Sequence, residues 1–192
     1  SMEKSIEAIE KAYLSVRAES IRNKMIPSDY EHLCECVGKS DLIFEACAED
    51  WNVKEEIHTR IANAAKADGN GKIFCSGTSG LSITGLARLY PLQCRSRFMG
   101  MHFFNPPYQM TLCEMTPSKY MDDDKFYFNF MKTYAEKVLY RTVVETADVP
   151  AFMGNRIGFQ FINESLQMAD AYRDNGGIDY IDAVVGPFTG RS

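Results

Sequence analysis

The chain has 192 residues, 45% of them hydrophobic and 24% charged, with a net charge of −5. That is enough for a substantial core in one domain, or in one domain and part of another. Scattered Lys and Arg with a negative balance argue against nucleic acid as a principal partner, and no apolar run of about 18 residues is present to span a membrane.

After Ser1-Met2, which reads as a cloning scar, Ile6, Ile9, Tyr13 and Val16 recur at helical spacing and predict an amphipathic helix over 3–24. Pro27 breaks it, and Ser28-Asp29 can cap a second short helix to Cys36. Asp41 to Cys47 reads as a buried strand. Val53, Ile57, Ile61 and Ala64 mark a helix over 51–66, with Asp50 as its N-cap. Lys72–Ser76 is the next strand, Gly77–Gly80 a turn, and Ile83, Leu86 and Tyr90 one side of a short helix that Pro91 ends. Phe98–Phe104 is the third strand, stopped by Asn105-Pro106-Pro107, and a second apolar run covers Met110–Met115.

Strand, helix, strand, helix, strand implies right-handed crossovers and a parallel sheet, so the fold is α/β. Further on, Asp122 or Asp123 caps a helix carrying Phe126, Phe130, Met131, Tyr134 and Val138, and Tyr140–Thr146 alternates as a strand. A broadly apolar helix over 153–174 follows Pro150 and should be buried against other helices or a partner. A last helix, Ile178–Val185, should stop at Gly186-Pro187. The six cysteines form no CxxC pair and have no His at ligand spacing, which reads as buried free thiols of an intracellular protein, with disulfides or zinc as the alternatives.

Ligands of such sheets sit at the carboxyl ends of the strands. Glu49, Ser79 and His102 each follow or end a strand, and so should gather on one rim. A histidine there, with Glu114 as a carboxylate partner, is the minimal kit for a general base and its orienting group; the other reading of His102 is a satisfied core histidine. Ser79 is either a helix cap or a hydroxyl for a substrate oxygen. Asn155, at the start of the 153–174 helix, is either a cap or a paired amide of the site. Glu49 and Lys54 read locally as first-turn and surface charges. His32 and His58 lie on polar helical faces and read as solvated. Asp122-Asp123-Asp124 reads as a cap and not a metal site. No G-x-G-x-x-G occurs in the chain.

The run Asp41-Leu42-Ile43-Phe44-Glu45-Ala46 through Glu49 and Lys54 is similar to the NAD-dependent L-3-hydroxyacyl-CoA dehydrogenase family. So are Ser76-Gly77-Thr78-Ser79-Gly80-Leu81, His102-Phe103-Phe104-Asn105-Pro106 with Glu114, and Pro150 to Arg156. The resemblance implies a doubly wound, Rossmann-like NAD domain over 3–148, then a helical domain from 149 to 192 that dimerises and closes an acyl-CoA cleft. It implies oxidation of an L-3-hydroxyacyl-CoA to the 3-oxoacyl-CoA, of the fatty-acid β-oxidation type. The family's base falls on His102, its orienting carboxylate on Glu114, the substrate-oxygen hydroxyl on Ser79 and the helical-domain asparagine on Asn155. Cofactor contacts near the nicotinamide ribose fall on Ala46, Glu49, Lys54 and Asn105. The helices at 3–30 resemble a pair that reaches the CoA tail.

Two departures stand out. Gly77 replaces the family's usual Asn, removing an amide beside the site. The family's first strand, glycine-rich turn and second strand lie before this chain's start, and most of its last helices beyond Ser192. The chain therefore reads as a fragment with an apolar edge at Asp41–Cys47 and without the adenine and pyrophosphate half of the cofactor site, inactive by itself, with the dehydrogenase activity expected of the parent protein. The alternative reading is a non-catalytic acyl-CoA-binding or dimerising remnant of the fold. A hydroxyacid dehydrogenase with a lysine base is disfavoured by the His/Glu pair.

Overall fold

The computed structural model describes residues 23–65 and 71–189. In chain order it has α1 (Leu33–Lys39), β1 (Leu42–Glu45), α2 (Trp51–Ala65), β2 (Ile73–Ser76), α3 (Ile83–Ala87) and α4 (Leu92–Arg95). There follow β3 (Phe98–Phe103), β4 (Leu112–Pro117), α5 (Phe126–Lys137), β5 (Thr142–Glu145), α6 (Gly154–Ala171), a 3₁₀ turn (Arg173–Asn175) and α7 (Gly177–Thr189). The helix expected over 3–24 lies outside the described residues, apart from its last two positions.

The strands form one five-stranded sheet in the order β1-β2-β3-β4-β5. β1, β2 and β3 pair in parallel through the helical crossovers, and β4 pairs in parallel with β5. β3 and β4, however, run antiparallel, so the sheet is mixed and not wholly parallel as expected. Only residues 104–111 connect them, too few for a crossover, which takes about a dozen residues or more.

The sheet's two faces are covered differently. On one, Phe74 and Phe98 pack with Ile61, Ala65, Ile83 and Leu86 from α2 and α3. On the other, Cys75, Met99, Met101 and Met115 meet Phe128 and Met131 of α5. β1 has a partner on one side only among the described residues, and Leu42 and Phe44 on it are part exposed. All six cysteines are free; three of them, Cys75, Cys94 and Cys113, are buried.

Local hydrogen bonds move several helix ends from their expected places. Asp29 Oδ1 accepts from the N–H groups of Glu31 (3.0 Å) and His32 (3.1 Å), holding a turn ahead of α1, so that helix starts at Leu33. Asp124, not Asp122 or Asp123, takes the Phe126 N–H at the head of α5 (3.1 Å). α7 runs through Pro187 to Thr189 and does not stop before it. α6 was expected to be buried. Instead it packs on α7 along one side, and Ile157, Phe159 and Leu166 face outward.

Candidate active site

His102 on β3 and Glu114 on β4 are direct register partners across the antiparallel pair. The Nδ1 of His102 lies 2.8 Å from Glu114 Oε2. A carboxylate only accepts, so Nδ1 carries the proton and Nε2 is left with its lone pair. The other carboxylate oxygen accepts from the backbone N–H groups of Met153 (3.1 Å) and Gly154 (2.6 Å), at the head of α6. Glu114 is fully buried, and these three donors together with the positive end of the helix offset the cost of burying its charge. The approach needs glycine at 154. A Cβ there would sit 2.8 Å from the Phe104 ring and 3.4 Å from Glu114 Oε1.

Ser79 follows β2. Its N–H donates to Glu49 Oε1 (2.8 Å), which also accepts from the Thr78 hydroxyl (2.5 Å). From the other side the Asn155 amide donates to the Ser79 carbonyl (2.9 Å), tying the head of α6 to this loop. The Ser79 hydroxyl takes part in none of these bonds. Nor does it cap α3: Ser82 does so by accepting from the Gly85 N–H (3.0 Å), and Asp148 takes the N–H groups of Ile83 (2.9 Å) and Thr84 (2.7 Å).

Behind the rim lies a buried polar network. Lys54 and His58, one turn apart on α2, both reach Glu45 at the end of β1. Glu45 Oε1 accepts from Lys54 Nζ (2.7 Å) and the Cys47 N–H (2.6 Å). Its Oε2 accepts from the Ser76 hydroxyl (2.6 Å) and His58 Nε2 (3.1 Å). His58 Nδ1 in turn meets the Tyr90 hydroxyl (2.8 Å). Burial works against the Glu45 charge, but the bonds from His58, Lys54, Ser76 and Cys47 outweigh it and hold the carboxyl well below the usual range. Burial works against the Lys54 ammonium too, and Glu45 outweighs it, so Lys54 is raised. Burial and Glu45 push the Cys47 thiol up to about 11. His58 is 1% exposed and is not the solvated histidine expected from its polar neighbours.

A cleft of about 600 Å³ opens at the carboxyl ends of β1, β2 and β3 and brings together most of the residues singled out by sequence. Ala46, Glu49, Ser79, His102, Asn105 and Asn155 all line it. Glu114 and Lys54 do not. The first lies behind His102; the second, 1% exposed, lies behind Glu49, with its Nζ 3.4 Å from Glu49 Oε2. Thr78 and Glu45, which sequence reasoning did not single out, fix the loops that carry Glu49 and Ser79. The loop after β3 begins with a cis Asn105–Pro106 bond, and the Arg141 guanidinium pins its far end by donating to the carbonyls of Pro107 (2.6 Å) and Met110 (2.9 Å). Among the described residues there is no group of three or more His, Cys, Asp or Glu placed to hold a metal ion.

Residues 2–149 match the sequence model of the 3-hydroxyacyl-CoA dehydrogenase NAD-binding domain. The chain belongs to the 3-hydroxyacyl-CoA dehydrogenase family. The resemblance read from the motifs is therefore borne out, and so is NAD as the cofactor of the matched domain. A probable 3-hydroxyacyl-CoA dehydrogenase of Bacillus subtilis is 32% identical over 165 residues, covering 86% of this chain and 20% of that protein. The crystal structure of (S)-3-hydroxybutyryl-CoA dehydrogenase PaaH1 from Ralstonia eutropha superposes with a TM-score of 0.69 at 26% identity, over 85% of this chain and 55% of that one. FadB2 of M. tuberculosis gives a TM-score of 0.74 at 21% identity, covering 98% of this chain and 63% of that one, a likeness of fold. The chain spans less than two thirds of the length of each. The Rossmann-like α/β architecture expected from sequence is what these folds share, with the one antiparallel pair as the refinement.

Proposed function

We propose that this chain carries the proton-transfer and nicotinamide part of an oxidoreductase that converts an L-3-hydroxyacyl-CoA to the 3-oxoacyl-CoA with NAD. The observation that carries the reading is the His102–Glu114 pair, with Nδ1 locked on a buried carboxylate and Nε2 left as the base. His102 Nε2 takes the proton of the 3-hydroxyl, and Glu114 stabilises the imidazolium that forms. Such general base help is worth on the order of 10²–10⁴ in rate. The Ser79 hydroxyl and the Asn155 amide hold the substrate oxygens. Bound NAD would supply the acceptor for the hydride that leaves C3.

The residues present fit the nicotinamide end of that cofactor. Glu49 has a part-exposed carboxylate at the cleft, suited to ribose hydroxyls, and Ala46 and Asn105 line the same space. Lys54 acts through Glu49 and Glu45, since its ammonium is enclosed behind them. We read 3–148 as the NAD-binding domain and 149–192 as belonging to a helical domain; the end of the family match at residue 149 supports this boundary. The exposed apolar side chains Ile157, Phe159, Leu166, Ile178 and Val184, spread over more than one side of α6 and α7, support a homodimer through these helices. No helix among the described residues is long and apolar enough to cross a membrane.

The test is NADH formation by the full-length protein with NAD and L-3-hydroxybutyryl-CoA, with the D-isomer as control. Turnover of the L-isomer alone is expected. Binding of acetoacetyl-CoA without any NADH formation would instead favour a non-catalytic acyl-CoA-binding module.

A further inference from the structure

Phe44 on β1 and Phe103 on β3 belong to strands that do not touch, because β2 lies between them. Two strand spacings are about 9.5 Å, yet the two ring centroids are 5.6 Å apart. The rings meet over Gly77, the residue after β2. A Cβ at 77 would lie 3.1 Å from Phe44 Cζ, 3.3 Å from its Cε1 and 3.2 Å from the Glu45 carbonyl oxygen. The missing side chain at 77 is thus the space that the Phe44 ring occupies. The result is an aromatic arch across three strand ends, and both rings line the cleft.

The Phe44 side chain is left 41% exposed and, with Phe103, Phe104 and Pro107, gives an apolar side to a cleft that also carries Glu49, Asn105, His102 and Ser79. Phe103 follows His102 on β3 and so points to the opposite face of the sheet, but at the strand's end both reach the same cleft. Hydride transfer requires the nicotinamide ring against the carbon whose hydroxyl His102 deprotonates. The part of the cleft beside His102 is therefore the nicotinamide end. A planar, weakly polar ring laid on an exposed aromatic wall removes apolar area from water and gains offset ring contacts.

We propose that Phe44, held out by Gly77 and Phe103, is a cofactor-binding residue that packs against the nicotinamide riboside half of NAD. The inference rests on the NAD-site reading above and names a contact within it. Gly77 serves by leaving room: a Cβ there would press the Phe44 ring aside by a few tenths of an ångström.

The experiment titrates the full-length wild-type protein with NADH, with reduced nicotinamide mononucleotide and with ADP-ribose, and repeats the titrations on Phe44→Ala, Phe44→Leu and Gly77→Ala in that protein. Thermal melting of each variant monitors the fold. Phe44→Ala is expected to weaken NADH and the mononucleotide by the same factor, on the order of tenfold, and to leave ADP-ribose within about twofold. Phe44→Leu, which keeps the apolar bulk and the fold, gives a smaller loss of the same pattern, and so does Gly77→Ala. Equal weakening of all three ligands, or unchanged NADH affinity in Phe44→Leu and Phe44→Ala alike, overturns the proposal while the NAD site stands. A wild-type protein that binds neither nicotinamide ligand overturns the NAD-site reading and this inference with it.

Discussion

Glu114→Gln separates chemistry from folding. In the wild-type chain Oε1 accepts two backbone N–H groups, from Met153 and Gly154, and Oε2 accepts from His102 Nδ1. A glutamine has one acceptor oxygen and one donor amide. The two backbone donors are fixed by the head of α6, so the oxygen must take their side. The amide then donates to His102 Nδ1, which forces the proton onto Nε2 and blocks the base. Every buried polar atom keeps a partner, so stability should fall by no more than about 1 kcal/mol. Turnover should fall by about 10²–10⁴, since both the base and the charge that stabilises its imidazolium are gone. Steady-state NADH formation gives kcat, and a urea titration gives stability. NADH affinity should be unchanged, because Glu114 does not line the cleft. A variant that keeps its stability and turns over within about threefold of wild type would refute the assignment of tautomer and role.

Three further outcomes follow from the same contacts. Lys54→Met leaves Glu45 buried with one cation fewer and should cost about 3–5 kcal/mol in a urea titration, an effect that a surface lysine would not show. The Glu45 carboxyl, lowered in the fold from its ordinary 4.5, adds stability above that value and loses it as pH falls below; Lys54, raised from 10.5, adds stability below that value and loses it only at higher pH. The urea midpoint should therefore hold level from about pH 4.5 to about pH 9, fall on the acid side, and fall again above pH 9, where the unfolded Cys47 thiol ionises and the folded one, pushed up to about 11, does not; Glu45→Gln should flatten the acid limb. Gly154→Ala places a methyl 2.8 Å from the Phe104 ring, and should cost about 1–3 kcal/mol and lower kcat by displacing Glu114 from the head of α6.

Much of this was legible in the sequence, for local reasons. Phe98–Phe104 has strand composition, a histidine near its end and a proline stop, so His102 could be placed on the rim beside Ser79 and Glu49. Glu114 could be named because it lies in the next apolar run, but its antiparallel register was not, since that follows from the short 104–111 connection. His58 was misread. Glu55, Glu56, Thr59 and Arg60 give its surroundings a polar look, yet Lys54, His58, Ile61, Ala62 and Ala65 share one face of α2 and are all buried. That spacing was the available signal. Asp148 carried no signal, because the Ile83 and Thr84 N–H groups it holds come close only in the fold, and Thr78 carried none because its partner Glu49 lies 29 residues away in sequence. Gly77 stood out as a departure, while the Phe44 ring that fills its place became visible only across three strands.

The claim on which the account turns is that His102 Nε2 removes the substrate proton. The most direct measurement is kcat for L-3-hydroxybutyryl-CoA oxidation by His102→Gln, taken alongside NADH affinity in the same preparation. The account predicts a fall in kcat of about 10²–10⁴ with NADH affinity within about twofold of wild type. A correctly folded His102→Gln protein that turns over near the wild-type rate would contradict it.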